Sequence, residues 1–180
     1  FCSMFSQILP LISKNDFVEC SKATKAQYHS RGFSSWDQMV AMLFCQLGRA
    51  NSLREICGGL ATCEGKLSHM GMDGAPKRST LAYANEHRPY QMYEQLFYKT
   101  LARIQRAYPG KHRFRFKNKL ISMDATVIDL CAKSFDWAHF RKTKGAVKLH
   151  LQLDHDGYLP SFAVITEGKT HEVTIARSLS

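Results

Sequence analysis

The sequence predicts an α+β protein in which a helical N-terminal part precedes a short antiparallel sheet. Up to Pro109 the apolar residues recur with the three- and four-residue spacing of one helix face. From Lys111 the spacing changes to two, and a turn at Asp156 and Gly157 separates two alternating runs. We therefore predict a helical domain over residues 1–112 and a sheet-forming domain over residues 113–180.

Two helices of the first part carry clear start signals. Ser34 can cap a helix whose apolar stripe lies within Trp36–Leu47. Ser52 and Glu55 form a capping box for the next helix. We expect that helix to end at the glycine pair 58–59, because glycine favours the residue that follows a helix.

The formal charge of +10 indicates a polyanionic partner, and nucleic acid is the commonest one. Residues 111–119, KHRFRFKNK, carry five basic and no acidic side chains, whereas residues 120–180 carry seven of each. Basic and aromatic residues alternate in this stretch, as expected of a strand or linker beside nucleic acid. A solvated connector on a soluble basic protein is the alternative interpretation.

Lys77 and Arg78 stand directly before Ser79, which we take as the N-cap of a helix reaching about His87. The N-terminus of a helix attracts anions, so two cations beside it form a phosphate-contacting arrangement. We therefore predict that Lys77 and Arg78 contact DNA. The pairing with the preceding helix matches a helix-turn-helix only weakly, since the connection is longer than the usual tight turn.

The six cysteines form no CxxC pair and no signal peptide precedes them, so we predict reduced thiols in a cytoplasmic protein. The spacing of Cys57, Cys63 and His69 fits no common zinc finger. The longest apolar run, Met39–Cys45, is too short to cross a bilayer. No membrane role follows from the sequence.

In the stretch Lys119–Leu130, KLISMDATVIDL, apolar residues flank one acid, Asp124, on both sides, and several of them are β-branched. Such a run predicts a strand covered on both faces, with Asp124 buried near its middle. A buried carboxylate requires a basic partner, several hydrogen-bond donors or a metal ion to compensate its charge. Asp124 is therefore the strongest candidate for chemistry, and a solvent-facing aspartate is the alternative.

Two alternating runs, residues 147–153 and 158–166, predict an antiparallel hairpin, and a helix begins near His171. A second basic cluster, RKTKGAVK, lies where the chain enters the hairpin. We predict that its cations contact DNA phosphates near Asp124, with a solvated loop as the alternative. These cations are Arg141, Lys142, Lys144 and Lys148. His150 shares a strand face with Lys148 and is interpreted either as facing DNA or as a packed or surface histidine.

The chain resembles DDE-type bacterial insertion-sequence transposases, in particular the group with a downstream Tyr-Arg-Glu-Lys signature. In the second half the similar segments are MDATVIDLC, FDWAHFRKTKGAVKLHLQLDHDGYLPSF and ITEGKTHEV. In the first half FSQILPLI, RGFSSWDQMVAMLFCQL, NSLREICGGL and PKRSTLAYANEHR are similar to the helical domain that precedes the family's core. The resemblance implies that residues 113–180 are the first strands of a ribonuclease-H-like catalytic domain.

The resemblance implies that Asp124, which stands at the position of the family's first catalytic acid, has that role here. It also implies that Asp124 is a ligand of the two Mg²⁺ or Mn²⁺ ions expected in the complete site. The family's second and third acids lie beyond the helix that begins near His171. We therefore expect a C-terminally truncated piece that is inactive by itself. Other acids match by residue type only, namely Asp129, Asp136, Asp154, Asp156 and Glu167.

The resemblance also implies the partners and the location of the protein. It implies metal-dependent cleavage and strand transfer on double-stranded DNA, both element ends and target, with assembly into a homo-oligomer on that DNA. It implies a cytoplasmic, nucleoid-associated protein. Two alternatives stay open, a ribonuclease-H-like nuclease and a non-catalytic, DNA-binding remnant of a transposase.

Overall fold

The computed structural model describes residues 2–28, 30–108, 110, 115–130, 139–141 and 144–178. Within them the chain is a mixed α+β protein of helices and an antiparallel sheet, which confirms the predicted class. It forms two compact units, Phe1–Thr100 and Leu101–Ser180. This division falls within a helix, and the domain boundary near residue 112 stays a prediction.

The described helices follow the order expected from the apolar spacing. They are α1 (Cys2–Ile8), α2 (Lys14–Ala23), α3 (Ser35–Gly48), α4 (Leu53–Ala61), α5 (Arg78–His87), α6 (Gln91–Ala107) and α7 (Glu172–Ser178). Short 3₁₀ turns occupy Leu9–Leu11, Glu64–Lys66 and Ser68–Met70. None of the helices in the described part of the chain is long and apolar enough to cross a membrane.

The starts of α3 and α4 are those that the sequence predicts. The N–H of Asp37 donates to Oγ of Ser34 at 3.0 Å, and the Asp37 carboxylate accepts the N–H of Ser34 at 2.7 Å. This reciprocal capping box pairs amide groups that have no partner within the helix. At α4 the N–H of Glu55 donates to Oγ of Ser52 at 3.2 Å. The cap at Ser34 is confirmed. At α4 the cap by Ser52 is confirmed, but the predicted box is not closed, because the Glu55 carboxylate accepts the N–H of Asn51 at 2.8 Å instead of the N–H of Ser52.

The predicted end of α4 is wrong, because the helix continues through Gly58 and Gly59 to Ala61. A Cβ placed on Gly59 would lie 2.7 Å from Cε1 of Phe44 on α3, whereas one placed on Gly58 would meet nothing within 4 Å. Gly59 therefore lets the two helices approach closely, and its role is packing rather than helix termination.

Two apolar clusters stabilise the helical unit. The first includes Phe5, Val40, Phe44, Leu60 and Leu81, and the second includes Phe17, Met39, Met92 and Leu96. Trp36 packs against both clusters, and its Nε1 donates to the carbonyl of Met70 at 2.9 Å. The indole thus gains a hydrogen-bond partner at a site where an unpaired N–H would be destabilising.

The sheet contains β1 (Ile121–Leu130), β2 (His139–Arg141), β3 (Lys144–Asp154) and β4 (Leu159–Glu167). Strand β3 is central, since it pairs antiparallel with β1, with β4 and, at its first residues, with β2. The predicted strand around Asp124 and the predicted hairpin are confirmed. Helix α7 follows β4 and contacts β1.

The hairpin turn between β3 and β4 is fixed by its aspartates. The N–H of Asp156 donates to Oδ1 of Asp154 at 2.9 Å, and Nζ of Lys119 lies 3.2 Å from Oδ2 of the same carboxylate. These two contacts lower the pKa of Asp154, the backbone donor contributing most. Asp154 is therefore suited to this position because its side chain accepts a hydrogen bond from the backbone of the turn, which is a common role of aspartate in turns.

The cysteine prediction is correct at three positions and wrong at one. Cys20, Cys45 and Cys57 are free thiols, and burial raises the pKa of Cys20 and of Cys57. Cys63, however, is disulfide-bonded. Cys63 is buried in the first apolar cluster, and cysteine spacing along the sequence cannot show which sulfurs packing brings together.

Candidate nucleic-acid interface

Asp124 lies in the middle of β1 but is exposed, so the prediction of a buried carboxylate is wrong. Its Oδ1 accepts the N–H of Ala125 at 2.8 Å. The half-buried positions of β1 are Met123 and Ala125, which point to the opposite face. The apolar run correctly predicts a strand, yet in the described part of the chain only one face of β1 is substantially covered, and Asp124 is on the other.

The register of the sheet separates Asp124 from Lys148. Residues directly opposite each other in an antiparallel pair share a face. Asp124 is opposite Leu151, whereas Lys148 is opposite Val127. Since Val127 and Asp124 are an odd number of residues apart, Lys148 projects from the other face of the sheet. Lys148 and Asp124 therefore lie on opposite faces of the sheet, and the contact of Lys148 with DNA phosphates stays a prediction.

Lys148 and His150 both have protein partners on their shared face. Nζ of Lys148 donates to the carbonyl of Thr170 at 3.0 Å, just before α7. His150 is fully buried, and its Nε2 lies 2.9 Å from Oγ1 of Thr166 on β4. Of the two interpretations of His150, the structure supports the packed one.

The rest of the second basic cluster is only partly described. Arg141 ends β2 and Lys144 begins β3, and these strands pair with each other. The side chains of Arg141 and Lys144, and Lys142 as a whole, lie outside the described residues. Their contacts with phosphate stay predictions.

The described residues do not form a two-metal site. Among them, no three His, Cys, Asp or Glu side chains lie together in a way that could hold a metal ion. A pair of divalent cations needs several carboxylate oxygens, whereas Asp124 supplies a single carboxylate. The side chain of Asp129 and the whole of Asp136 lie outside the described residues. The role of Asp124 as a metal ligand therefore rests on the resemblance.

Lys77 and Arg78 lie at the start of α5, where both are exposed. The helix begins at Arg78, one residue before the predicted N-cap Ser79, and Lys77 is the N-cap residue without a side-chain cap bond. The first amides of α5 consequently have no side-chain cap from Lys77, and they lie beside two cations. This geometry suits a phosphate group.

Arg78 lines a groove of about 650 Å³ together with Arg54. Ser52 and Leu53 at the start of α4 and Ser79 in the first turn of α5 line it too, so both helices direct their N-terminal ends to one place. No acidic residue is among the described residues of this lining. Two guanidinium groups and the start of α5 therefore add to a positive potential in the groove, whereas Glu55 in the first turn of α4 opposes the contribution of that helix.

Arg54 is absent from the residues that the sequence singles out. In the segment NSLREI, Arg54 is an ordinary arginine in the first turn of a predicted helix. Its importance arises only because α4 and α5 pack together and bring residues 52–54 beside residues 78–82. A helical projection of α4 would have placed Arg54 on the exposed side but could not have identified its neighbour.

Comparison with known proteins bears on the helical unit. Residues 2–73 match the family model described as a domain of unknown function, DUF4372. The chain contains a DUF4372 domain. This domain is found in transposase-like proteins, and here it covers α1 to α4 and the 3₁₀ turns that follow. No curated protein and no solved structure matches the chain.

Proposed function

We propose that the chain is part of a DDE-type bacterial insertion-sequence transposase, which nicks the ends of a mobile element and joins them to target DNA. The observation that carries the proposal is the position of Asp124. It lies near the middle of the first strand of an antiparallel sheet, and a hairpin and then α7 follow it. A strand with a central aspartate, an antiparallel hairpin and a helix form the opening of a ribonuclease-H-like domain. The DUF4372 domain supports the same assignment.

The helical unit is, in this proposal, the part that binds duplex DNA. The groove between the starts of α4 and α5 offers Arg54, Arg78 and the neighbouring Lys77 to a phosphate backbone. Phosphate contacts position a protein on DNA without reading its sequence. Recognition of the element ends then requires further contacts, and a homo-oligomer that holds two ends is part of the same proposal.

The catalytic part of the proposal assigns one residue of this chain. Asp124 would be one carboxylate of the Mg²⁺ or Mn²⁺ site that the resemblance implies. The resemblance puts the two remaining acids after the helix that begins near His171. Hard oxygen ligands of this kind favour Mg²⁺ or Mn²⁺ over softer metals.

Binding of the chain to duplex DNA should weaken steeply with salt, and the Lys77→Ala/Arg78→Ala variant should flatten that dependence. Each lost phosphate contact reduces the slope of log K against log salt by about 0.9, so the double variant should lose about two units. Arg54→Ala should remove about one unit more. The measurement is fluorescence anisotropy of a labelled duplex over a salt series.

The charge-matched control is Lys22→Ala/Lys66→Ala, which removes two exposed lysines of the same unit that do not line the groove. Its slope should stay close to that of the unchanged protein. An equal loss in both double variants would mean that net charge, rather than the α4–α5 groove, determines binding.

The catalytic assignment is tested with a chain that carries the family's second and third acids as well. Asp124→Asn keeps the shape of the side chain and removes its charge, so nicking and strand transfer should be lost while duplex binding is retained. Nicking of a supercoiled plasmid with Mg²⁺ or Mn²⁺, followed by a joining assay, measures both steps. Nicking without joining favours the nuclease, and DNA binding without either favours the non-catalytic remnant. Full activity of the Asn variant would contradict the role given to Asp124.

A further inference from the structure

A second groove of the helical unit combines exposed aromatic rings with positive charge. It lies between the segment that follows α2 and one face of α5, and it has a volume of about 460 Å³. The α5 face consists of residues at positions i, i+3, i+4 and i+7, namely Thr80, Tyr83, Ala84 and His87. The opposite wall includes Lys25, Tyr28 and Arg31.

Two tyrosines in this groove remain largely in contact with water. Tyr28 is 73% exposed and Tyr83 is 64% exposed. The ring of Tyr83 stacks on that of His87, with centroids 3.9 Å apart and planes inclined by 18°. His87 covers one side of the Tyr83 ring, and the Tyr83 side chain borders the groove. Exposed aromatic side chains gathered in a concave surface are typical of a binding site.

The charge of the groove selects an anionic occupant. Lys25, Arg31 and Arg88 line it, and no acidic residue is among its described lining. Arg88 is held by hydrogen bonds to Ser34 and Phe33, so Lys25 and Arg31 are the cations that face a ligand. Glu86 lies 3.9 Å from Nδ1 of His87 but does not line the groove.

The backbone at Lys25 adds a second indication. Lys25 has a φ of 56°, and the N–H of Ala26 bonds to the carbonyl of Ser21 at 2.9 Å, which is the αL termination that usually carries glycine. In this backbone conformation lysine makes the folded protein less stable than glycine would. In return, the lysine places a cation at the groove.

We propose that this groove binds unpaired nucleotides of DNA, with bases stacked on Tyr83 and Tyr28 and phosphates next to Lys25 and Arg31. Within a duplex both faces of each base are covered by neighbouring bases, so only unpaired bases can stack on these rings. The volume is that of a small-ligand pocket and suits one or two nucleotides. The choice of DNA rests on the transposase function proposed above, whereas the stacking site itself does not depend on it.

The test compares a labelled oligothymidylate with a duplex of equal length, using anisotropy at one salt concentration. Tyr83→Ala should weaken binding of the single strand about tenfold, Tyr28→Ala should do so to a similar degree, and both should change duplex binding less than about twofold. Tyr83→Phe keeps the aromatic ring, so it should bind the single strand as tightly as the unchanged protein does. Tyr90→Ala removes a tyrosine that is 68% exposed and does not line the groove, and it should have no effect.

Several results would overturn the proposal. They are unchanged single-strand binding in Tyr83→Ala, equal losses for single strand and duplex, and competition by polyglutamate as strong as by an oligonucleotide of equal charge. Circular dichroism of each variant establishes that it is folded. The two proposals fail separately, because the duplex salt slope tests Lys77 and Arg78 whereas the single-strand affinity tests Tyr28 and Tyr83.

Discussion

Replacing Arg88 with methionine should lower the free energy of unfolding of the helical unit by about 3 kcal/mol. The guanidinium donates through Nη1 to the carbonyl of Ser34 at 2.8 Å and to Oε1 of Gln38 at 3.2 Å. Through Nη2 it donates to Oγ of Ser30 at 2.8 Å and to the carbonyl of Phe33. Methionine fills similar space but leaves these acceptors, two of them backbone carbonyls, without the charged donor.

The electrostatics of Arg88 explain why the loss should be large. Burial lowers the pKa of Arg88, and the nearby Tyr93 and Asp37 partly oppose that decrease. The side chain is therefore a partly desolvated cation whose stability depends on its four acceptors and on the ring of Phe33, which lies 5.4 Å from the guanidinium carbon. Through these contacts Arg88, which follows α5, holds residues 30–34, which lead into α3.

Urea unfolding followed by helix circular dichroism measures this effect, and Arg54→Met is the matched control. Arg54 is exposed, so its replacement should change stability by less than about 0.5 kcal/mol. Arg88→Lys keeps the charge but not the planar guanidinium group, so its loss of stability should lie between those of Arg54→Met and Arg88→Met. If Arg88→Met and Arg54→Met unfolded at the same urea concentration, the network around Arg88 would not stabilise the unit as argued.

Local sequence signals predicted the starts of α3 and α4 but not the end of α4. A cap depends on two residues that are three positions apart, so Ser34 with Asp37 and Ser52 with Glu55 can be found from the sequence alone. The end of α4 could not be predicted in this way. The glycine that resembles a stop signal is instead required by Phe44, which lies in another helix and is distant in sequence.

Alternation predicted the strands but not which residues face each other across them. Period two shows that Lys148 and His150 share a face, and a separate run places Asp124 in its own strand. Whether these faces coincide depends on the register between β1 and β3, and a shift of one residue reverses the answer. The exposure of Asp124 was missed for a related reason, since burial depends on which elements cover a sheet.

Both grooves of the helical unit also depend on contacts between distant residues. Lys77 and Arg78 could be singled out because they are adjacent in sequence and precede a helix. Arg54 could not, and neither could Tyr28 and Tyr83, because packing alone brings their segments together. Sequence patterns therefore identified single charged residues, whereas the structure shows which of them share a surface.

Gly59→Ala should lower the free energy of unfolding of the helical unit by about 2 kcal/mol, whereas Gly58→Ala should raise it by about 0.5 to 1 kcal/mol. Both glycines lie inside α4, where alanine is intrinsically the better helix former. They differ in what a methyl group would meet. At Gly59 it would lie 2.7 Å from Cε1 and 2.9 Å from Cζ of Phe44, and at Gly58 it would lie in open space.

The Phe44 ring cannot easily move away from a new methyl group. Phe44 is buried in the first apolar cluster and packs edge-on against Phe5, with ring centroids 5.7 Å apart. Moving it would disturb that contact or separate α3 from α4, and overpacking of this kind typically costs about 1 to 3 kcal/mol. The adjacent glycine provides the comparison, because the two substitutions share the same helix and the same chemical change.

A double-mutant cycle with Phe44→Leu tests this explanation, because leucine lacks the ring atoms that the methyl group introduced by Gly59→Ala would contact. The loss caused by Gly59→Ala should shrink in the Phe44→Leu background, with a coupling of about 1 kcal/mol or more. Thermal or urea unfolding of the four proteins measures it. If Gly59→Ala were as stable as Gly58→Ala, or if its effect were the same in the Phe44→Leu background, the close approach of α3 and α4 at Gly59 would not limit the packing of this unit.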